Sequence, residues 1–126
     1  MIKTKNTDTD LHCVLTNDVS NLDYDAPLFK GGMGNGFRPH ELLEAALASC
    51  ISIIIRMIAK KKNIKLDRVE TQVEVDRTQS DKSIFNYRIS LDDALNANDR
   101  EFFMNIIDFC AIKQTLSKQL EFVQYE

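Results

Sequence analysis

Several things are scarce in this chain of 126 residues, and each scarcity closes off a class of function. Positive charge is not in surplus: 16 Lys and Arg face 19 Asp and Glu, for a formal net charge of −3. Non-specific nucleic-acid binding needs a basic face that displaces counterions from phosphates, so no nucleic-acid partner is expected. Met1–Asp10 lacks the apolar run of a secretory signal, and a cytoplasmic location is the expectation. Only three cysteines occur, an odd number, and in a reducing cytosol they are not a disulfide framework but free or reactive thiols. Glycine is confined to Gly31, Gly32, Gly34 and Gly36. No strand closely precedes that cluster and no Lys-Ser/Thr follows it, so it reads as a flexible connection and not as a phosphate-binding loop. There is no internal repeat and no low-complexity tract.

What is present fits a single globular domain over residues 1–126, with 44% apolar and 28% charged residues. Leu11–Thr16 alternates as a strand, and Lys3–Asn6 is its candidate hairpin partner. From Asn17 to Arg38 the turn-forming residues predict loop with at most one further short strand. Pro39 is suited to the first position of a helix, which runs to about Asn63. That helix is apolar on nearly every side between Leu42 and Ala59, the pattern of a helix buried in a core or an interface. Ser49, Ser52 and Arg56 interrupt it short of the roughly 20 apolar residues a bilayer needs, so no membrane is expected. Lys60–Lys62 forms a solvated end that suits the helix dipole.

Arg68–Asp76 alternates, with Val69, Thr71, Val73 and Val75 on one face, and Phe85, Tyr87, Ile89 and Leu91 do the same in a second strand, predicting an antiparallel pair. Asn98 is then the expected cap of a helix with Glu101 at its third position and Phe102, Phe103, Ile106, Ile107 and Cys110 as its apolar stripe. A short helical piece to Lys118 and a last strand near Leu120–Tyr125 complete an α+β pattern.

The chemistry, if there is any, lies with the thiols. A reactive cysteine must be a thiolate, with its pKa lowered by a helix N-terminus or a cation. Cys50 lies about a dozen residues into its own helix, beyond the reach of that helix's dipole, so its activation has to come from elsewhere in the fold. Cys110 sits where one helical stripe ends and another helix could begin. By residue type alone each reads first as a small buried hydrophobe, and Cys13, beside Leu11 and Leu15 on one strand face, more strongly still. His12, Cys13, His40, Cys50 and Cys110 lack the close spacing of zinc ligands apart from the adjacent His12-Cys13, so no metal is expected.

The segments around the two later cysteines are more specific. Pro39-His-Glu-Leu-Leu-Glu-Ala-Ala-Leu-Ala-Ser-Cys50 resembles the helix that introduces the first cysteine of the OsmC/Ohr family of thiol-dependent hydroperoxide reductases. Cys110-Ala-Ile-Lys-Gln-Thr-Leu116 keeps the spacing of that family's Cys-Pro-Val-x-x-Thr-Leu segment, with Ala111 in place of the proline. The order of strands and helices agrees over most of the chain and least before Phe37. The resemblance implies an antiparallel sheet wrapped around a long central helix in an intertwined homodimer. It also implies that Cys50 attacks a small organic hydroperoxide and that Cys110 closes the disulfide. An external dithiol of lipoyl or thioredoxin type would restore both, with no cofactor. The family places a glutamate directly after the helix-starting proline and an arginine in its N-terminal region; here His40 takes the first place and no arginine precedes Arg38. Glu41 is the nearest carboxylate, with Arg38 or Arg56 as the cation and Arg38 and His40 as candidate binding residues. Glu41 and Cys50 are separated by about 13 Å of helix rise, so a Glu41 or Arg38 that meets a Cys50 sulfur belongs to another subunit. The second implied reading is a non-catalytic dimer of the same fold that binds a small apolar ligand or senses redox state.

Overall fold

A computed structural model describes residues 1–125. The strands are β1 (Lys3–Asn6), β2 (Cys13–Thr16), β3 (Asn21–Tyr24), β4 (Val69–Asp76) and β5 (Ile84–Leu91). The helices are α1 (Pro39–Lys61), α2 (Ala97–Asn105) and α3 (Ala111–Leu116), with short 3-10 turns at Leu28–Lys30 and Ile106–Phe109. The chain divides into two compact units, Met1–Leu43 and Glu44 onward.

In the first unit β1, β2 and β3 form an antiparallel meander, with Lys3 opposite Thr16 and Cys13 opposite Tyr24. β2 is shorter than its alternation predicts. Leu11 and His12 are taken into the turn, where the His12 N–H donates to the Thr9 carbonyl and the His12 carbonyl accepts from Thr7. The glycine cluster is not a slack connection either. Asp25, almost fully buried, accepts hydrogen bonds on its carboxylate from the backbone N–H groups of Ala26 (2.7 Å), Met33 (3.1 Å) and Asn35 (3.2 Å). Gly32 is required for this closure: a Cβ there would lie 2.0 Å from the Ala26 carbonyl oxygen and 2.7 Å from an Asp25 carboxylate oxygen. No apolar side chain of Met1–Leu43 is buried.

The second unit is built the other way round. Leu47, Ile51, Ile55 and Ala59 recur every four residues along α1 and close a core with Leu91, Phe103, Ile106, Ile107 and Cys110. β4 and β5 pair antiparallel in the register their alternation demands, with Val69 opposite Leu91, Thr71 opposite Ile89, Val73 opposite Tyr87 and Val75 opposite Phe85. Two polar contacts fix α1 against β4. Glu44 Oε1 accepts from the Val75 N–H at 2.8 Å, and the Ser52 and Thr71 hydroxyls share a hydrogen bond of 2.9 Å.

The helix ends follow from local chemistry. α1 stops at a Schellman turn, in which Asn63 takes the left-handed conformation (φ 54°) while Ile64 donates to Ala59 and Asn63 to Lys60. The cap of α2 is Asn96 rather than the expected Asn98. Asn96 accepts from the Asp99 N–H at 2.8 Å and donates to the Asp99 carboxylate at 3.0 Å, a reciprocal pair that leaves Glu101 without a capping role. The expected strand at Leu120–Tyr125 is not formed, because an alternating segment becomes a strand only beside a partner edge and none pairs with it here.

Among the described residues α1 is the one helix long and apolar enough to span a bilayer, with a mean hydropathy of 2.0 over its best window. Its buried stripe instead packs in the core just described, so it is the core helix of a folded unit.

Candidate functional site

Cys50 lies on α1 between the buried Leu47 and Ile51, half-buried at the edge of the stripe. Cys110 arrives from a different direction. It is an extended residue (φ −60°, ψ 119°) between the Ile106–Phe109 turn and α3, and it is fully buried. Its N–H donates to Ile107 and its carbonyl accepts from Gln114, both at 3.0 Å, so its backbone is used up locally. The core cluster that contains Cys110 is also the one against which Cys50 packs. Both are free thiols.

Ala111 and Ile112 are the first two residues of α3, directly after Cys110. Burial pushes the Cys50 thiol up, but the Cys110 thiol and these two amides outweigh it and hold the group below the usual thiol range. Cys110 moves the opposite way. Burial raises it first, its bond to Cys50 adds to that, and the amides of Lys113 and Ile112 only partly compensate. The two thiols are thus shifted in opposite directions, Cys50 down and Cys110 up.

The charged residues singled out by the sequence serve the start of α1. The Arg38 N–H donates to Glu41 Oε2 at 2.9 Å, half of a capping box around Pro39, and Arg38 Nε stands 4.0 Å from Glu41 Oε1. His40 is exposed in the first turn, and Arg56 is exposed further along the helix. Cys13 faces Tyr24 across the β2–β3 ladder, where it raises the phenol's pKa, and its thiol points to the Leu11 carbonyl at 3.8 Å.

One group near Cys110 gave no signal in the sequence. Lys113 binds the Asp108 carboxylate, and its ammonium lies 5.7 Å from the centre of the Tyr87 ring. The bond to Asp108 holds Lys113 above the usual lysine range, so it is a fixed positive charge three residues after Cys110. Among the described residues no three His, Cys, Asp or Glu side chains gather into a metal-ligating cluster.

The OsmC-like protein family model matches residues 32–123, a span that holds both thiols and everything that positions them. The chain belongs to the OsmC-like family. No curated protein sequence matches it. Among solved structures it is similar to a Psychrobacter arcticus protein assigned to the osmotic stress and detoxification response, at 23% identity and a TM-score of 0.76 over 90% of this chain and 85% of that one. The OsmC-like protein of Mycoplasma pneumoniae matches with a TM-score of 0.70 and 19% identity, over 92% of this chain and 85% of that one. The organic hydroperoxide resistance protein OhrB of Bacillus subtilis matches with a TM-score of 0.64 and 22% identity, over 93% and 89%. At these identities the likeness is one of fold, and the α+β class expected from the order of elements is the class observed.

Proposed function

We propose that the chain is a cytoplasmic thiol peroxidase of the oxidative stress response that reduces small organic hydroperoxides through Cys50 and Cys110. The observation that carries this reading is that Cys50 of α1 packs against the buried cluster that contains Cys110, in a chain of the OsmC-like family. The Cys50 thiolate attacks the outer peroxide oxygen, the O–O bond breaks, and the alkoxide leaves and takes up a proton to become the alcohol. Cys50 is then a sulfenic acid. The Cys110 sulfur displaces its hydroxyl as water, forming the disulfide, and an external dithiol returns two hydrogens to restore both thiols. No step calls for a metal or an organic cofactor.

The same reading includes a homodimer. Ile53 and Met57 on α1 are 64% and 59% exposed, and a three-stranded sheet with no buried apolar residue of its own is too small to stand uncovered. In such a dimer Arg38, His40 and Glu41 of the second copy are the polar groups offered to the thiols. A solution mass of twice the chain's is expected.

The test is the intact mass and free-thiol count before and after one equivalent of an organic hydroperoxide. The expected result is rapid loss of two thiols and two hydrogens, with a Cys50–Cys110 link in the digest. Cys50→Ser should abolish peroxide consumption. Slow, unlinked oxidation would overturn the peroxidase reading in favour of a non-catalytic dimer that binds an apolar ligand. That alternative draws support from the position of Glu41, whose carboxylate is already occupied by Arg38.

A further inference from the structure

We propose that Lys113 is a positioning residue for Cys110: bonded to Asp108 before that cysteine and to Tyr87 of β5, it clamps the buried thiol into the core cluster against which Cys50 packs. The proposal rests on the Cys50–Cys110 reading for its importance, though not for its first test.

Cys110 needs a clamp because its own backbone gives it only local support. It is an extended residue between two helical turns, and its N–H and carbonyl bond to Ile107 and Gln114 on either side. Neither bond reaches the sheet or α1. The helix that follows, α3, is six residues long and has no buried residue, too short to be stable alone. It has to be tied to its surroundings by side chains. Ile112 supplies an apolar contact by packing on the core, and Lys113 supplies the polar one.

The Lys113 ammonium, with three donors, works in two directions at once. It donates to the carboxylate of Asp108, two residues before Cys110, so that residues 108–113 are closed into a loop with Cys110 inside it. It also lies 3.5 Å from the Tyr87 hydroxyl and 5.7 Å from the centre of that ring, and among the described residues this is the one side-chain hydrogen bond from α3 to β4 or β5. Gln114 Nε2 adds a longer bond across the same loop, to the Asp108 carbonyl at 3.4 Å. The pair is not an ordinary surface contact. In Lys3–Asp18 and Lys65–Asp67 both side chains are more than half exposed, whereas that of Lys113 is only 33% exposed. A partly covered, charge-assisted bond holds geometry better than a solvated ion pair.

The first test is the rate at which iodoacetamide alkylates Cys110 in the full-length reduced protein, followed on the Cys110 peptide by mass spectrometry. Lys113→Met keeps the aliphatic stem and removes the charge. It should speed Cys110 alkylation about fivefold, with Asp108→Asn moving it the same way and Lys113→Arg staying within about twofold of the parent. The amide of Ile55, fully buried in the same core, should exchange at an unchanged rate. An unchanged Cys110 rate in Lys113→Met overturns the proposal, and so does an equal acceleration at Ile55, which would make Lys113 an ordinary stabiliser. The second test is the equilibrium with oxidised glutathione, in which Cys50 and Cys110 pass two hydrogens to it, one disulfide forming as the other breaks into two thiols. Lys113→Met should shift that equilibrium about fivefold toward the protein dithiol, because an unclamped Cys110 spends less time within reach of Cys50. An equilibrium that Lys113→Met leaves in place overturns the proposal as well. If the parent forms no Cys50–Cys110 disulfide, the peroxidase reading fails by itself, and the alkylation rates still decide whether Lys113 seats Cys110.

Discussion

The two units of this chain are stabilised by different means. From Glu44 onward, nine buried apolar residues close one core around α1, and polar contacts such as Glu44 to Val75 only fix its register. In Met1–Leu43 the single buried polar or charged side chain is the carboxylate of Asp25, and no apolar one is buried. The first unit is shaped by hydrogen bonds: two strand ladders and a loop drawn onto one carboxylate. Hydrogen bonds specify geometry well but add little net stability, because water offers the unfolded chain nearly the same bonds. Apolar burial does the opposite. The thiols lie in the unit whose shape is enforced by packing, which suits a reaction that needs two sulfurs held within reach of each other.

The comparison breaks most sharply at Phe103, the largest fully buried side chain. Phe103→Ala should cost about 3–5 kcal/mol, as expected for emptying a packed aromatic site, and it should take the Cys50–Cys110 pairing with it. Chemical denaturation of the reduced protein measures this. A cost under about 1 kcal/mol would mean that the core is not the source of stability it is taken to be. A smaller effect is expected at Gly32, where the added Cβ meets the Ala26 carbonyl and the Asp25 carboxylate. Gly32→Ala should cost about 1–3 kcal/mol, the range for overpacking, and the change should show in the amide resonances of Met33 and Asn35 while those of Ile51 and Ile55 stay in place. If the core resonances move as much as the loop's, the two units do not respond separately.

The parts that were legible in the sequence are those in which local pattern and tertiary need coincide. α1 announced itself through Pro39 and its apolar run, and β4 and β5 through a clean alternation that the register preserves residue by residue. Asn98 is the α2 cap that the sequence suggests, because Glu101 completes a capping pattern. Asn96 with Asp99 makes the same pattern two residues earlier, and single-sequence reasoning has no means to rank them. Leu120–Tyr125 alternates like a strand, but pairing is not a property of one segment. At the site, the neighbourhood of Cys50 and Cys110 was legible only through the family's motif. No spacing rule links a mid-helix cysteine to one that follows a distant 3-10 turn. The influence of the Ala111 and Ile112 amides on Cys50 was out of reach for the same reason, since every residue but proline has an N–H and only the fold decides where it points. Asp25 was missed because a carboxylate followed by a glycine cluster reads as solvated loop, when the glycines are what let the backbone close on it.

The smallest expected effect sharpens the contrast through acid. Burial pushes the Asp25 carboxyl up, but the amides of Asn35, Met33 and Ala26 outweigh it, helped by the field of His12, and its pKa falls below the ordinary 3.8. A carboxylate whose folded pKa lies below its unfolded one contributes stability that is fully present above the unfolded value and is lost as the pH falls through the folded one. The loop from Ala26 to Asn35 should therefore hold through mild acid and loosen only below about pH 4. Acid touches the second unit through Asp76, also lowered, by the backbone and side-chain groups of Thr78; that turn lies outside the apolar core, which has nothing to titrate but its thiols. An acid titration followed at the amides of Met33, Asn35 and Ile55 separates the cases. The first two should shift together below pH 4 and the third should not, and Asp25→Asn should remove the acid dependence by leaving nothing to protonate. If the loop amides of Asp25→Asn still move with the parent's midpoint, another acid holds that loop, and the first unit's dependence on a single buried carboxylate is disproved.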